Sequence, residues 1–182
     1  MTEAKNVIRV NGLYEYLVEP TYKACMCVSL SNVYSGQEIT YAELMDNYLV
    51  ELAGANISKE ELTADPLGYL LNGYEKGGNF FTYETPSIKQ LHKFLNIRIE
   101  GVIKFDVTFE VSLSDEQMAK YAEAALSDAR KRAELAAKST GKKVGDICYI
   151  EDTNPPSYLE GFYINQGPLL RKYNVSVAFE LI

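Results

Sequence analysis

Few residues in this sequence are suited to nucleophilic or acid–base chemistry. His92 is the single histidine, and a serine nucleophile would need it as the general base. Neither Ser29 nor Ser87 stands in the Gly-x-Ser-x-Gly context of a nucleophile elbow. His92 falls in a short segment with helical periodicity, which favours a structural role. We therefore predict no catalytic residue and no enzymatic activity.

The sequence has three cysteines, Cys25, Cys27 and Cys148. An odd number of cysteines cannot all pair in disulfides within one chain, which fits a protein of a reducing compartment. Cys25 and Cys27 lie two apart on a predicted strand, so their Cα atoms are about 6.6–7 Å apart and disulfide geometry is poor. A redox sensor needs an exposed thiol with a lowered pKa, and Lys23 is the only cationic neighbour in sequence. A zinc site would lack ligands, since only His92 is available besides. We predict no metal and no cofactor.

Phosphate binding is also disfavoured. The segment KSTGKK at 138–143 has Ala136 where a phosphate loop has its first glycine, and it ends a predicted helix instead of opening one. The net charge is −7, whereas nucleic-acid partners require a basic surface. We predict no nucleic-acid partner.

The 14 tyrosines are the most suggestive feature for binding, because tyrosine combines contact area with a polar tip. They either form a partner surface or edge an ordinary core. The candidate interaction surface consists of Tyr69, Tyr74, Tyr83, Tyr158 and Tyr163.

A long helix at 115–140 is the clearest element that would position these residues. Ser114 and Gln117 form a capping box, and Gly141 supplies a left-handed stop. Spacings of three and four residues predict one small-residue face. Its members are Met118, Ala122, Ala125, Ala129, Ala133 and Ala136.

Period-two patterns and turn residues predict the other elements. Asn11-Gly12 predicts a tight turn, and 99–111 predicts a strand whose odd-numbered residues all face one way. The predicted strands are 6–10, 13–18, 22–31, 67–74, 80–85, 99–111, 147–151 and 173–181, and the shorter predicted helices are 40–53 and 86–95.

These elements predict an α+β fold, with an antiparallel or mixed sheet and both the long Ala-rich helix and a shorter helix packed on one face. We predict a single domain over 1–182, with related strand–helix–strand halves at about 1–62 and 97–182 and a hairpin insertion at 63–96. No signal peptide precedes the first strand and no apolar run reaches the ~20 residues of a membrane span, so we predict a cytoplasmic protein without a membrane span.

Three stretches resemble the SIMPL domain family, named after a signalling partner of a pelle-like kinase. In the opening strands Val10, Gly12 and Pro20 occupy matching places. ALSDARKRAELAAKSTGKKVGDICYIED is similar to the family's Ala-rich helix and its glycine exit at Gly141 and Gly145. The terminal NVSVAFEL resembles the family's last strand.

The resemblance implies a non-enzymatic module that associates with itself as a homo-oligomer, or with another protein, since the family offers no catalytic motif to carry over. It also implies ring-like or channel-like assembly and a family-level link to oxidative stress. Many members of the family carry an export signal, and this sequence shows none. The resemblance is therefore compatible with a sequence from which such a signal was trimmed. The alternative is a small-ligand-binding domain with a pocket between the sheet and the long helix.

Overall fold

The computed structural model describes residues 6–36, 38–75, 77–161 and 169–182. The helices are α1 (Tyr41–Gly54), α2 (Pro66–Leu71), α3 (Ile88–Asn96) and α4 (Asp115–Ser139). The strands are β1 (Val7–Leu17), β2 (Thr21–Ser29), β3 (Leu62–Asp65), β4 (Gly78–Thr85), β5 (Val102–Ser112), β6 (Val144–Asp152), β7 (Ser157–Gly161) and β8 (Leu170–Leu181). The α+β class is confirmed.

The elements form two sheets where the sequence predicts one. One sheet has the order β1-β8-β6 and the other the order β3-β4-β2-β5-β7, and each strand pair with a described register is antiparallel. The chain divides into two compact units. Unit 1 comprises residues 1–18, 112–158 and 165–182, and unit 2 comprises 19–111 and 159–164. These bounds do not coincide with the predicted halves at 1–62 and 97–182.

In unit 1, α4 lies on the three-stranded sheet. Its predicted capping box is confirmed, with the Ser114 hydroxyl accepting from the amide of Gln117. The helix ends in a Schellman arrangement, since Gly141 has a positive φ and the Lys142 amide donates to Ala137 O. Its fully buried residues are Ala125, Ala129, Ala133 and Ala137. The prediction of Ala136 for this face is wrong, because the buried row continues in steps of four.

The predicted hairpin at Asn11-Gly12 is also wrong. β1 runs unbroken through both residues and pairs with β8 over its whole length. A Cβ atom on Gly12 would lie 1.9 Å from Ala125 O and 2.8 Å from the Ala129 Cβ atom. Gly12 therefore allows close approach of the helix to the strand and makes no turn.

In unit 2, α1 and α3 pack on one face of the five-stranded sheet, here called the inner face. The Tyr48 hydroxyl of α1 donates to the sulfur of Met26 on β2 over 3.0 Å. The rings of Tyr83 on β4 and Phe94 on α3 stack with their centroids 4.6 Å apart. Both helices begin as predicted, with side-chain caps from Thr40 and Ser87.

The predicted hairpin of strands 67–74 and 80–85 is wrong in its first strand. Asp65 caps α2 through a 2.8 Å hydrogen bond from the amide of Gly68, and Pro66 occupies the first helical turn. Asp followed by Pro is a helix-start signal, and it overrides the apolar run that follows. The strands that flank β4 are β2 and β3.

The single apolar face predicted for 99–111 is interrupted by a bulge in β5. Asp106 pairs with Cys25 while Lys104 pairs with Met26, so Phe105 is an extra residue. Phe109 is fully buried, whereas Ile103 and Phe105 are exposed. The bulge thus moves two large apolar side chains to the outer face, opposite the one that α1 and α3 cover.

Candidate interaction surface

Four aromatic rings interlock on the outer face of the unit 2 sheet. Tyr69 of α2 stacks on Tyr74 at a centroid distance of 4.8 Å. The ring centroids of Tyr69 and Tyr74 each lie 5.6 Å from the centroid of Phe80 on β4, in an edge-to-face arrangement. Phe80 in turn lies 5.3 Å from Phe105 of the β5 bulge. The rings therefore form a continuous layer that connects α2 to the bulge.

Polar groups of β2 anchor this layer from below. Ser29 Oγ and Tyr69 OH share a buried hydrogen bond of 2.7 Å. Cys27 accepts a hydrogen bond from the Asn32 amide at 3.6 Å. Burial raises the pKa of the Cys27 thiol, and hydrogen bonds with Tyr74 and Asn32 offset this only in part. The residue is therefore held as a neutral thiol, which is a poor nucleophile.

Large apolar side chains of α2 and of the β5 bulge are exposed to solvent. Exposed fractions reach 78% for Leu71, 65% for Leu67 and 55% for Phe105. Leu67 and Leu71 are four apart on α2 and so share one side of the helix. We call the exposed apolar side chains of α2 and β5, together with the half-buried Phe80, the outer apolar surface; its members are Leu67, Leu70, Leu71, Phe80, Ile103 and Phe105.

The structure separates the tyrosines that the sequence grouped together. Tyr69 and Tyr74 form part of the aromatic layer, as described above. Tyr83 is buried on the inner face at 1% exposure and serves the core. Tyr158 is half-buried on β7 and belongs to unit 1. Tyr163 lies outside the described residues.

One protein-family model matches this chain. The SIMPL family model, described as Protein of unknown function (DUF541), matches residues 41–174. The chain belongs to the SIMPL family. No curated protein matches this sequence. Because the family's description gives no function, the role of this SIMPL chain has to be inferred from its own geometry.

Sequence reasoning missed the apolar part of the surface. Asp65-Pro66 followed by Leu67 and Leu71 was an available signal, because it places two leucines on one side of a capped helix. The exposure of Ile103 and Phe105 had no sequence signal. Their alternation is that of a buried face, and only the bulge opposite Cys25 reverses it.

The candidate catalytic groups of the SIMPL chain are dispersed. His92 is exposed on α3, and Cys148 is exposed on β6. In the described ranges, no three or more His, Cys, Asp and Glu side chains are grouped to hold a metal ion. No helix in the same ranges has both the length and the apolar character needed to cross a membrane.

Unit 1 contains a second tyrosine cluster, which the sequence did not indicate. Tyr121 of α4 stacks on Tyr14 and Tyr16 at 5.1 and 4.7 Å. The Tyr173 hydroxyl donates to Asp152 Oδ2 over 2.6 Å. Burial and that carboxylate raise the pKa of Tyr173 to about 12. Tyr16 and Tyr173 belong to the core of unit 1, and the partly buried Tyr14 and Tyr121 pack against it.

The alternative of a pocket between the sheet and the long helix has no room beside Gly12, whereas a cavity of about 490 Å³ lies at the end of the helix, where Glu134, Lys138 and Val144 are part of its lining. At Gly12 the helix backbone lies so close that a Cβ atom would overlap Ala125 O. The methyl groups of the buried alanines fill the adjoining space. A cavity of about 550 Å³ occurs elsewhere, in unit 2 near the end of α3.

Proposed function

We propose that this SIMPL chain is a non-enzymatic module that associates with a second copy of itself through the outer apolar surface. The observation that carries this proposal is the exposure of five large apolar side chains on α2 and β5, the two elements that the aromatic layer connects. Contiguous apolar patches on a monomer are costly, and larger ones typically mark interaction sites. The three free cysteines support a reducing, cytoplasmic location.

The geometry of the surface favours a self-complementary contact. Its aromatic layer is fixed from below by the Ser29–Tyr69 hydrogen bond, so little side-chain entropy is lost on binding. On association, the exposed leucines of α2 would contribute roughly 25 cal/mol for each Å² of apolar area that they bury. In a two-fold contact, Leu67 and Leu71 of each copy would cover the rings of the other.

Analytical ultracentrifugation over a wide concentration range tests this proposal. We expect a concentration-dependent dimer or larger assembly. The double variant Leu67→Gln/Leu71→Gln replaces two exposed leucines by glutamine, which is a good helix former. We expect it to weaken self-association at least about tenfold.

The double variant Val50→Gln/Leu135→Gln is the matched control. Val50 is 70% exposed and Leu135 is 74% exposed, and neither contributes to the outer apolar surface. This control should associate like the parent chain. A strict monomer at the highest concentration would exclude self-association. If the monomer instead captures a different protein, and loses it in the Leu67→Gln/Leu71→Gln variant, the surface serves a heterologous partner.

A further inference from the structure

A depression in unit 2 lies where α3 ends and β5 begins. Its volume is about 550 Å³, within the range of small-molecule sites. Most of its lining is aliphatic, and two of its side chains are cationic. The lining residues are Leu95, Ile97, Arg98, Ile99, Glu100, Val102, Ile103 and Lys104.

Lys104 extends into this region from the inner face of the sheet. Its ammonium group donates to Ile97 O and lies 5.8 Å from the ring centroid of Tyr48 and 5.4 Å from that of Phe94. An ammonium group has three donors, and one of them is used by the carbonyl. Its position next to two rings keeps the side chain fixed without a carboxylate.

The depression is lined by two cations, Arg98 and Lys104, and by one carboxylate, so its net charge is positive. That carboxylate belongs to Glu100, and it accepts hydrogen bonds from the backbone amides of Tyr34 and Ser35. In the described part of the chain, neither cation forms an ion pair with a carboxylate. Burial, followed by the charge of Arg98, lowers the pKa of Lys104 to about 8. An anion placed between Arg98 and Lys104 would offset both the cost of burying the Lys104 charge and the repulsion between the two cations.

We propose that this depression binds an amphipathic carboxylate, with the head group between Arg98 and Lys104 and the alkyl chain against the aliphatic lining. The lining favours this class of ligand over a compact polyanion. Leu95, Ile97 and Val102 offer no donors, whereas a phosphate requires several. A carboxylate needs only the guanidinium fork and the remaining ammonium donors.

Isothermal titration calorimetry with octanoate tests the site, and octylamine and inorganic phosphate serve as comparison probes. We expect saturable octanoate binding and none for octylamine. Arg98 is exposed, so Arg98→Gln should leave the fold intact. It removes one charged partner and should weaken octanoate binding about tenfold or more. Lys89→Gln changes an exposed lysine on α3 outside the lining and should bind like the parent chain.

The pH dependence of binding identifies Lys104 as the second contact. The groups that face it are Tyr48 from α1, whose pKa burial raises, Arg98, and Glu100, whose hydrogen bonds from Ser35 and Tyr34 lower its pKa. Only Lys104 among these changes charge near pH 8, so octanoate binding should weaken between pH 7 and 9. The Lys104→Met variant should bind weakly at both pH values.

Three outcomes would overturn the proposal. The first is no saturable octanoate binding by the parent chain. The second is equal binding by the parent and by Arg98→Gln, because the guanidinium group would then play no part. The third is phosphate binding as tight as octanoate binding, because the apolar lining would then contribute nothing. A chain that proves monomeric would leave the site unaffected, so this test is independent of self-association.

Discussion

The helix-covered sheet face of unit 1 and the outer sheet face of unit 2 differ in the size of their side chains. In unit 1, methyl side chains and Gly12 bring α4 into direct backbone contact with β1. In unit 2, the outer face keeps large side chains in solvent above a fixed layer of rings. Small residues thus permit a closed contact within the unit, while large exposed residues leave a face for a partner. The following predictions test whether this contrast holds.

The largest effect should follow from Gly12→Ala in unit 1. The added methyl group would meet Ala125 O at 1.9 Å, and a backbone oxygen cannot turn aside as a side chain does. Overpacking typically costs about 1–3 kcal/mol and occasionally more, and we expect the upper end or beyond. Urea unfolding measures the loss.

Gly54→Ala is the control for that substitution. Gly54 ends α1, and a Cβ atom there meets nothing within 4 Å. With no positive φ at this position, alanine should raise the free energy of unfolding by about 0.4–1 kcal/mol. If both variants behave alike, the close contact between α4 and β1 is not what stabilises unit 1.

A smaller effect is expected for Asp128→Ala. Asp128 Oδ2 accepts a 2.9 Å hydrogen bond from the amide of Leu13 on β1 and a 2.7 Å hydrogen bond from Arg132 Nε. Loss of a hydrogen bond to a charged group leaves the part-buried amide unpaired and should cost about 1–3 kcal/mol in urea unfolding. Arg132→Ala removes only the exposed ion pair, and its cost should stay below about 1 kcal/mol.

The pH dependence of stability should reveal Lys104 in unit 2. Its pKa is about 8 in the folded chain and 10.5 as a free side chain, so the unfolded state binds more protons between these values. Stability must therefore rise with pH from 8 to 10.5, because the cost of the buried charge is relieved. Allowing for solvent screening, we expect a rise of about 1 kcal/mol that Lys104→Met lacks.

Urea unfolding at pH 7, 9 and 10 measures this difference between the two chains. Lys89→Met, at an exposed position on α3, should follow the parent curve. If the free energy of unfolding changes with pH in the same way for the parent and for Lys104→Met, the ammonium group of Lys104 is as well solvated as that of a surface lysine.

The smallest effect is expected for Leu70→Gln on the outer apolar surface. Leu70 is 67% exposed, so its replacement should change the free energy of unfolding by less than about 0.5 kcal/mol under dilute conditions. A loss of several times that size would mean that Leu70 stabilises unit 2 directly. The contrast between a closed and an open face would then fail.

Local signals accounted for much of the fold. The capping box at Ser114 predicted the start of the long helix correctly, because a cap depends on residues only two or three positions away. The two shorter predicted helices, 40–53 and 86–95, begin within two residues of the observed starts. The strand at Thr21–Ser29 also followed from period two, although Cys27 and Ser29 are buried together with the even-numbered residues. Of the five tyrosines predicted for an interaction surface, Tyr69 and Tyr74 stack on each other in the aromatic layer, where Tyr69 is buried.

The sequence by itself determined the ends of α4, the class of fold and, apart from Ala136, the small-residue face of α4, since each depends on neighbours along the chain. Only the tertiary structure decided that Asn11-Gly12 lies within a strand, and that Phe105 points outward while Lys104 points inward. A glycine that admits a helix and a bulge that reverses a strand face both depend on residues distant in sequence. Such contacts leave no periodic trace, and so the outer apolar surface and the Lys104 depression emerge only when the chain is folded.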